Sequence, residues 1–480
     1  MTFTVIRIIF IILGIVGLTF ILPAGTAAFL GEYSVLPAFL IPMAVSLILA
    51  VVFMAAGRAK KTYLSTRAGF VVVALSWICV SFFGALPFFI SGAIPDFTDA
   101  FFESASGFTT TGATILDNIE GLPRSINLWR CQTHWLGGMG IVALTVALLP
   151  ILGVGGFQLI KSETTGPEKG KFTSKISDTA KVLWFIYFGM TLLEFALLKL
   201  AGMNFMDALS HAFATLGTGG FSTKNASVGS FGSLRIEVIC SVFMFLSSLN
   251  FTLYYYGFTG KLSELKNNTE LKVFVSLCIG AILIVTLVEI RDYGSFFTSL
   301  RYSSFQTLSL ISTTGFSTTD FTLWQPAAQV VLLALFFIGG CSGSTAGGIK
   351  AIRWVVLFKQ LKNEILKMLH PHGIFTIRIN KRAGRKDVVF SVAAFFMCFA
   401  LIIGATTFFG SLFGLDVYSA FTGALSMAGN IGPGFGALGP SSSFSFLHSA
   451  VKWWYSFVMI AGRLEFFTLM IFFAPAFWKR

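Results

Sequence analysis

Four short segments of this chain align with one another without a gap, and each ends on a glycine. They are DAFFESASGFTTTG (99–112), DALSHAFATLGTGG (207–220), YSSFQTLSLISTTG (302–315) and SAFTGALSMAGNIG (419–432). Each segment lies between two long apolar stretches. Such a repeat predicts one chain that surrounds a central axis with four similar units.

The composition indicates a membrane protein. Hydrophobic residues make up 55% of the chain and charged residues 11%, with a mean hydropathy of +0.81. Soluble domains carry about 25% charged residues. Stretches long enough to cross a bilayer predict ten transmembrane helices, at about 5–24, 35–56, 68–92, 128–153, 180–201, 233–257, 272–290, 326–349, 388–412 and 451–476.

The positive charges predict the orientation of these spans. Twenty-five Lys and Arg residues lie at the termini or after the even-numbered spans, and eight lie on the opposite face. By the positive-inside rule, both termini are cytoplasmic and the four glycine-ended segments enter from the outside. The net charge of +13 is therefore mainly topological. No basic stripe interleaved with aromatic residues supports a nucleic-acid partner.

Each glycine-ended segment predicts a short helix that enters the membrane only halfway. Asp99, Asp207 and Ser419 occupy the same position in three segments and are good N-cap residues. The carboxyl end of each helix, with its partial negative charge, is expected at the membrane centre. Four such ends would stabilise a partly dehydrated cation.

The residues around the closing glycines predict a ring of backbone carbonyls. The four stretches are TTTGAT (109–114), GTGGFST (217–223), STTGFST (312–318) and GNIGPG (429–434). Thr keeps the backbone extended, and Gly permits the positive φ that lets carbonyls turn inward. Carbonyl rings can replace the hydration shell of an ion. Close packing alone would also use single glycines, but four in register favour the ring.

At these residues the chain resembles the TrkH-type subunits of the Trk/Ktr/HKT potassium-transporter superfamily over its full length. The resemblance implies an all-α integral membrane fold with four re-entrant pore loops in pseudo-fourfold helix–pore–helix repeats, as in potassium channels. It divides the chain into a two-span extension (1–67) and repeats at 68–160, 161–260, 261–370 and 371–480. Repeat three contains an intramembrane glycine loop.

The resemblance also implies that potassium is bound by the backbone of a filter. The filter residues in this chain are Thr110, Thr111, Gly112, Thr218, Gly219, Gly220, Thr313, Thr314, Gly315, Asn430, Ile431 and Gly432. The chain lacks the longer TVGYG filter of tetrameric potassium channels. Repeat four also departs from the threonine-rich pattern, at Asn430 and Pro433.

A second glycine-rich stretch lies within the eighth predicted span. The run GGCSGSTAGG (339–348) is not a stable helix interior, because each glycine costs about 1 kcal/mol relative to alanine. A hinge or a small-residue packing surface is one interpretation. A phosphate-binding loop is rejected, because Lys does not follow at the required position and no strand precedes it. The resemblance implies that this glycine run is a gate, formed by residues Gly339, Gly340, Gly343, Ser344, Thr345, Gly347 and Gly348.

Arg463 is the one basic residue embedded in an apolar span, MIAGRLEFF. An intramembrane charge is costly and is a functional candidate by default. One alternative is a structural ion pair between Arg463 and Glu465, although residues two apart on a helix do not face each other. The other is a side chain that snorkels to the membrane surface. Arg463 lies as far beyond Gly432 as the glycine loop lies beyond Gly315. In the family, an arginine here forms a barrier with the loop.

Two further polar residues in the repeats are expected to support the pore rather than bind the ion. Glu103 is predicted to fix the first short helix behind the filter, and His211 to pack behind the pore. The six cysteines all lie in apolar spans without paired extracellular spacing. A disulfide framework or a metal site is therefore not expected.

The residues and the resemblance together predict potassium uptake through a gated, channel-like pore in a bacterial inner membrane, with no catalysed reaction and no bound cofactor. A sodium- or proton-coupled potassium symporter is the alternative, although acids inside spans are few. The resemblance implies a homodimer in the lipid bilayer with cytosolic, nucleotide-binding TrkA-type regulatory subunits. The basic segment from Lys350 to Lys386 is expected to dock such a partner.

Overall fold

The computed structural model describes residues 2–56, 65–140, 176–380, 382–383 and 386–478, which are predominantly helical. The α-helices are α1 Thr2–Thr19, α2 Ile21–Leu30, α3 Leu36–Ala56, α4 Thr66–Ile90, α5 Phe97–Phe108, α6 Arg124–Gly138, α7 Ile176–Leu200, α8 Phe205–Gly217, α9 Leu234–Ser247, α10 Phe251–Phe258, α11 Leu262–Asn267, α12 Thr269–Tyr293, α13 Phe296–Ile311, α14 Pro326–Leu335, α15 Ala351–Leu369, α16 Lys386–Leu412, α17 Val417–Gly429, α18 Ser449–Arg463, α19 Phe467–Met470 and α20 Pro475–Trp478. Strands β1 Arg378–Ile379 and β2 Arg382–Ala383 pair antiparallel, with Arg378 opposite Ala383. Four 3₁₀ turns cover Ser227–Phe231, Phe321–Leu323, Gly436–Leu438 and Ile471–Phe473.

The first helix packs closely against α3. Along α1, Ile8, Ile12 and Val16 are buried on one face, at the spacing of successive helical turns. A Cβ at Gly14 or Gly17 would collide with side chains of α3, so these glycines allow the two helices to approach. Both helices also pack against α4, which joins the N-terminal extension to repeat one.

The four glycine-ended segments are short helices, as the sequence predicts. They are α5, α8, α13 and α17, of 12, 13, 16 and 13 residues. Each follows a long apolar helix (α4, α7, α12 or α16) and precedes a shorter one (α6, α9, α14 or α18). From Ala100 to Phe108 every residue of α5 is buried, so this helix lies inside the molecule and not on the lipid surface.

The predicted N-caps are wrong by one turn. The caps are Asp96, Asn204 and Asp416, and each side chain accepts a hydrogen bond from the backbone N–H of the residue three positions later. Those donors belong to Asp99, Asp207 and Ser419, the residues that the sequence pattern offered as caps. The helices therefore begin earlier, because a better-placed Asx residue precedes each predicted start.

The second apolar stretch of repeats two, three and four is not a continuous span, contrary to the prediction. Helices α9 and α10 meet at an angle of 92°, and α18 meets the segment Phe467–Phe473 at 106°. In repeat three, the run 336–350 separates α14 from α15. Because α9, α14 and α18 are only 14, 10 and 15 residues long, none reaches across a hydrocarbon core of about 30 Å at 1.5 Å per residue.

The chain is a multi-pass membrane protein. Six helical stretches within the described ranges are long and apolar enough to cross a bilayer: Phe3–Leu30, Leu36–Ala56, Arg67–Ile90, Thr179–Leu200, Thr269–Tyr293 and Val388–Leu412. Each of the two bent helix pairs is also long and apolar enough when its two helices are taken together, and Pro326–Leu335 is a shorter apolar helix. The predicted span 128–153 and the domain boundary at 160 extend into residues outside the described ranges. The count of ten spans stays a prediction.

Candidate functional site

All four short helices end in the same backbone motif. The residue two positions before each closing glycine has a left-handed conformation, with φ of 57° at Thr110, 54° at Thr218, 57° at Thr313 and 52° at Asn430. The next residue donates its N–H to the carbonyl five residues earlier; these bonds are Thr111 to Ser106 at 2.9 Å, Gly219 to Ala214 at 2.9 Å, Thr314 to Ser309 at 2.9 Å and Ile431 to Ser426 at 3.0 Å. This is the Schellman ending of a helix. The chain therefore leaves all four helices in the same way.

Three of these left-handed residues are threonines, for which an extended backbone was expected. That expectation is wrong at Thr110, Thr218 and Thr313. A left-handed β-branched residue is strained by about 1–3 kcal/mol and persists only where its surroundings impose the conformation. The same strain recurs in three repeats, and Asn430 adopts the conformation in the fourth. The motif is therefore held by tertiary packing and not by local preference.

The closing glycines have the positive φ that the sequence predicts. The values are 82° at Gly112, 81° at Gly220, 81° at Gly315 and 102° at Gly432. Side chains are disfavoured in this region of backbone conformation. The backbone conformation at each of these four positions therefore requires glycine.

The four glycines also lie against one another's segments in a closed ring. A Cβ at any of them would fall within 2.6 Å of a backbone carbonyl oxygen of the next repeat. The pairs are Gly112 with the oxygen of Gly219, Gly220 with that of Thr314, Gly315 with that of Ile431, and Gly432 with that of Thr111. Each repeat thus faces the next in chain order, and the fourth faces the first. A ring of carbonyls contributed by four repeats is chemically suited to hold a cation.

In three of the four short helices, the residue nine positions before the glycine supports the segment that follows the ring. Glu103 accepts hydrogen bonds from Thr114 Oγ1 at 2.9 Å and from the Ile115 N–H at 3.0 Å. In the same position, His211 bonds Ser222 Oγ at 2.9 Å, and Gln306 donates to the Thr319 carbonyl at 2.9 Å. The predicted supporting roles of Glu103 and His211 match these contacts. Sequence reasoning missed Gln306, although it occupies the same aligned position.

Glu103 is also half of a buried ion pair. Arg130 of α6 donates its Nε to Glu103 at 2.5 Å, and the two side chains are 1% and 0% exposed. The guanidinium also donates to the Ser222 carbonyl at 2.9 Å and lies 3.7 Å from the centre of the Phe221 ring. This pair therefore joins repeat one to the segment after Gly220 in repeat two. Charge-assisted bonds of this kind are stronger than neutral ones.

The fourth repeat replaces threonine by asparagine and uses the longer side chain to reach its neighbours. Asn430 Nδ2 donates to Thr111 Oγ1 at 2.9 Å and to the Met459 carbonyl at 3.0 Å. In this repeat the residue nine positions before the closing glycine is Gly423. The preceding residue, Thr422, accepts a hydrogen bond from the Phe435 N–H at 3.0 Å through its Oγ1. The departure from the threonine-rich pattern therefore closes the ring between repeats four and one.

The glycine run 339–348 is an irregular loop, as its composition predicts. Gly343 and Gly348 have φ of 73° and 70°. Its base is closed by a hydrogen bond of 2.9 Å from the Gly339 N–H to the Ile349 carbonyl, and the Gly340 carbonyl accepts from Ala351 at 3.2 Å. Within the loop, Ser344 Oγ donates to the Cys341 carbonyl at 2.6 Å. The loop is therefore an ordered hairpin rather than a slack connection.

The loop lies directly beside the ring motif of its own repeat and also contacts repeats two and four. The Gly347 N–H donates to Thr313 Oγ1 at 2.7 Å, and a Cβ at Gly347 would collide with the Gly429 carbonyl. Thr345 Oγ1 donates to the Ser247 carbonyl at 3.0 Å, where α9 ends. The bend between α9 and α10 is thus the place where the loop docks. These contacts bring the predicted gate residues next to the predicted filter.

Arg463 reaches the same loop. Its Nη1 donates to the Thr345 carbonyl at 2.8 Å, and its Nη2 donates to the carbonyls of Gly137 and Gly138 at 2.7 and 2.9 Å. The last two carbonyls end α6, where the helix dipole favours a cation. The predicted proximity of Arg463 to the glycine loop is confirmed.

Glu465 pairs with a different arginine. Arg353 Nη2 lies 2.6 Å from Glu465 Oε2, and the Arg353 guanidinium lies 3.7 Å from the centre of the Phe395 ring. Lys350 is 3% exposed and donates its Nζ to the Ala346 carbonyl. Lys350 and Arg353 therefore belong to the base of the loop. Both side chains are buried and do not reach a docking partner, which corrects the predicted basic segment at its first two charges.

Sequence reasoning also missed the acid that supports the loop from below. Glu270 Oε1, at the start of α12, accepts from the Ser342 N–H at 2.7 Å and from the Ile352 N–H at 3.1 Å. The available signal was an acid at the beginning of an apolar span. Glu270 lies two residues before the predicted span 272–290, outside the apolar stretch.

The family is shown by comparison with known proteins. Residues 35–480 match the TrkH family, described as cation transport protein. Over 477 residues the chain is 39% identical to the Trk system potassium uptake protein TrkH of Salmonella typhimurium, covering 97% of this chain and 98% of that protein. It is 40% identical over 428 residues to the protein of that name from Escherichia coli K12, covering 88% of both chains.

A solved structure agrees with the fold over the whole chain. The crystal structure of the potassium transporter TrkH from Vibrio parahaemolyticus superposes with a TM-score of 0.89 at 36% identity, covering 100% of both chains. Family, identity and fold therefore agree. The chain belongs to the TrkH family of cation transport proteins and is a transporter, not an enzyme.

Proposed function

We propose that this chain takes up potassium through a channel-like pore whose filter is the ring of Gly112, Gly220, Gly315 and Gly432. The observation that carries the proposal is the closure of that ring, in which every glycine faces the carbonyl of the next repeat. The names of the relatives, potassium uptake proteins, supply the ion. No cofactor is required, because carbonyl oxygens replace the ion's hydration shell.

The glycine loop and Arg463 form the gate below this filter. Three carbonyl contacts hold the guanidinium between the loop and the end of α6. A fixed positive charge beside the ion path raises the barrier for a cation in a medium of low dielectric constant. The gate opens when the loop moves and carries its hydrogen bond to Arg463 away.

The protein resides in a bacterial inner membrane with both termini in the cytoplasm, and works as a homodimer with TrkA-type nucleotide-binding subunits. The charge distribution supports this orientation. On α15, the end distant from the loop presents Lys362 and Lys367 to solvent. Phe358 and Met368 are 63% and 83% exposed on the same helix. A surface that is both apolar and basic is suited to a cytosolic partner, and α15 leads directly to the loop.

The test is potassium flux through purified protein in vesicles. Gly220→Val places a branched side chain where φ is 81° and where even a Cβ collides with a carbonyl of repeat three. Rubidium uptake and the preference for potassium over sodium should fall sharply while membrane insertion is retained. Gly280→Val is the matched control, because a Cβ at Gly280 has no neighbour within 4 Å. It should leave both quantities unchanged.

Equal rubidium uptake and ion preference in the two valine variants would overturn the filter assignment. Flux that requires a sodium or proton gradient in the unaltered protein would overturn the channel-like mechanism in favour of coupled symport. The two outcomes are distinguishable, since the first changes with the variant and the second with the gradient.

A further inference from the structure

An apolar groove opens onto the membrane-facing surface between repeats two and three. It is a cavity of about 410 Å³ formed by α9, α12 and α13. Its volume falls within the range of small-molecule sites. Val238 and Ile279 line it and are themselves 51% and 54% exposed, so the groove is open to the surrounding lipid.

The groove is about as long as one leaflet of the bilayer. Its lining on α9 runs from Leu234 to Phe245 along one helical stripe, which is about 16 Å at 1.5 Å per residue. The hydrocarbon core of a bilayer is about 30 Å thick. The polar lining of this stripe is limited to Glu237 and Ser241, so an extended hydrocarbon chain fits its length and chemistry.

One end of the groove carries a charged pair. Arg301 of α13 donates Nε and Nη2 to the two carboxylate oxygens of Glu237, both at 2.6 Å. Glu237 is 4% exposed, whereas Arg301 is 29% exposed. The carboxylate occupies one edge of the guanidinium and leaves the Nη1 edge without a protein acceptor among the described residues. Arg235, exposed in the first turn of α9, adds a second cation at this end.

We propose that the groove binds a phospholipid, with an acyl chain along α9 and the headgroup phosphate on the Nη1 edge of Arg301. Guanidinium groups recognise phosphate through paired N–H donors. The charged end lies at the start of α9 and near the start of α13, on the side where the short helices enter. By the proposed orientation this is the outer leaflet. The carboxylate of Glu237 holds the guanidinium in position for the phosphate.

The site touches the scaffold of the ring. Ser304 and Leu308 of α13 also line the groove, and α13 ends two residues before the left-handed Thr313 of the ring motif. A bound acyl chain would therefore pack against one of the four helices that carry the glycine ring. This gives the lipid a second measurable effect, on the stability of the protein.

The experiment uses delipidated full-length protein titrated with phosphatidylglycerol or with phosphate-free diacylglycerol, and counts bound lipids by native mass spectrometry. Ser241→Phe fills the groove, and the paired variant Glu237→Gln, Arg301→Gln removes the charges without leaving one unpaired. Leu401→Phe is the control on α16, where Leu401 is 60% exposed. The unaltered protein and the control should retain one more phosphatidylglycerol than Ser241→Phe, and the paired glutamine variant should bind it about tenfold more weakly.

Equal lipid counts in Ser241→Phe and the control would overturn the proposal, as would equal retention of diacylglycerol and phosphatidylglycerol. If Ser241→Phe lowers the fraction of dimer without losing a lipid, the groove is an interface between two copies of this chain and the lipid assignment is wrong. None of these results depends on potassium flux, so the proposal can fail while the proposed function stands.

Discussion

Replacing Glu103 by alanine should destabilise the protein and loosen ion selection at the same time. Glu103 accepts three hydrogen bonds, from Thr114 Oγ1, the Ile115 N–H and Arg130 Nε. It is fully buried, and Arg130 is 1% exposed. The substitution leaves a buried guanidinium without its counter-charge and two donors without an acceptor.

The size of the effect follows from that geometry. Removing one partner of a buried ion pair costs about 3–5 kcal/mol, because the remaining charge stays desolvated. Proteins are stable by only about 5–15 kcal/mol, so this single change removes a large part of the margin. Glu103→Gln keeps the shape and an acceptor oxygen but not the charge, and should fall between alanine and the unaltered protein.

The assay is equilibrium unfolding in detergent, followed by the potassium-to-sodium permeability ratio of the fraction that folds into vesicles. Glu120→Ala is the matched control, because Glu120 pairs with Lys224 at 3.2 Å but the two side chains are 46% and 34% exposed. Exposed pairs contribute little, so the control should leave stability and selectivity nearly unchanged. If Glu103→Ala were as stable and as selective as Glu120→Ala, Glu103 would not support the ring.

Three further predictions rest on the cap, the gate and the cytosolic helix. At neutral pH, Asp416→Ala should lower the free energy of unfolding by about 1 kcal/mol, because it removes the cap of α17. The hydrogen bond from Ser419 holds the pKa of the Asp416 carboxyl below its ordinary value. The cap therefore stabilises the protein fully above the ordinary carboxyl pKa, and this stabilisation is lost as the pH falls through the lowered pKa of Asp416. Thermal unfolding of Asp416→Asn should show no such pH dependence. Two unit charges separated by about 8 Å interact by about 2 kcal/mol at an effective dielectric constant of about 20. At that separation, Arg463→Ala should raise potassium leak about thirtyfold, and a well-folded variant with unchanged vesicle leak would remove Arg463 from the gate. Lys362→Gln with Lys367→Gln should weaken co-purification of the cytosolic partner more at low salt than at high salt, because salt screens the charges that are removed. Basal flux should be unchanged, and unaltered co-purification at low salt would place the docking site elsewhere.

The sequence was sufficient for the features that repeat. Four segments in register predicted four short helices, and glycine at the closing position predicted the positive φ of Gly112 and its equivalents. The matching depth of Arg463 and the glycine loop predicted their contact. The first two inferences depended on a repeat that local backbone chemistry explains, and the third on equal depth in two repeats together with the family resemblance.

The features that the sequence did not predict arise from tertiary contacts. Threonine prefers extended backbone, yet Thr110, Thr218 and Thr313 are left-handed because the end of the helix and the neighbouring segments impose it. The bend after Ser247 lies within an apolar run, at the place where the loop of repeat three docks. Glu465 was considered as a partner for Arg463, but Arg353, distant in sequence, is its actual partner. Pairings between distant repeats leave no periodic signal.

The most direct test of the central claim is the position of a heavy potassium analogue in the protein. Crystals grown in rubidium should show anomalous scattering on the axis of the ring, surrounded by the carbonyls of Thr111, Gly219, Thr314 and Ile431. These are the oxygens that face the closing glycines of the neighbouring repeats. Gly220→Val crystals should lose that peak. Rubidium bound only outside the ring at saturating concentration, with the four glycines in place, would contradict the filter.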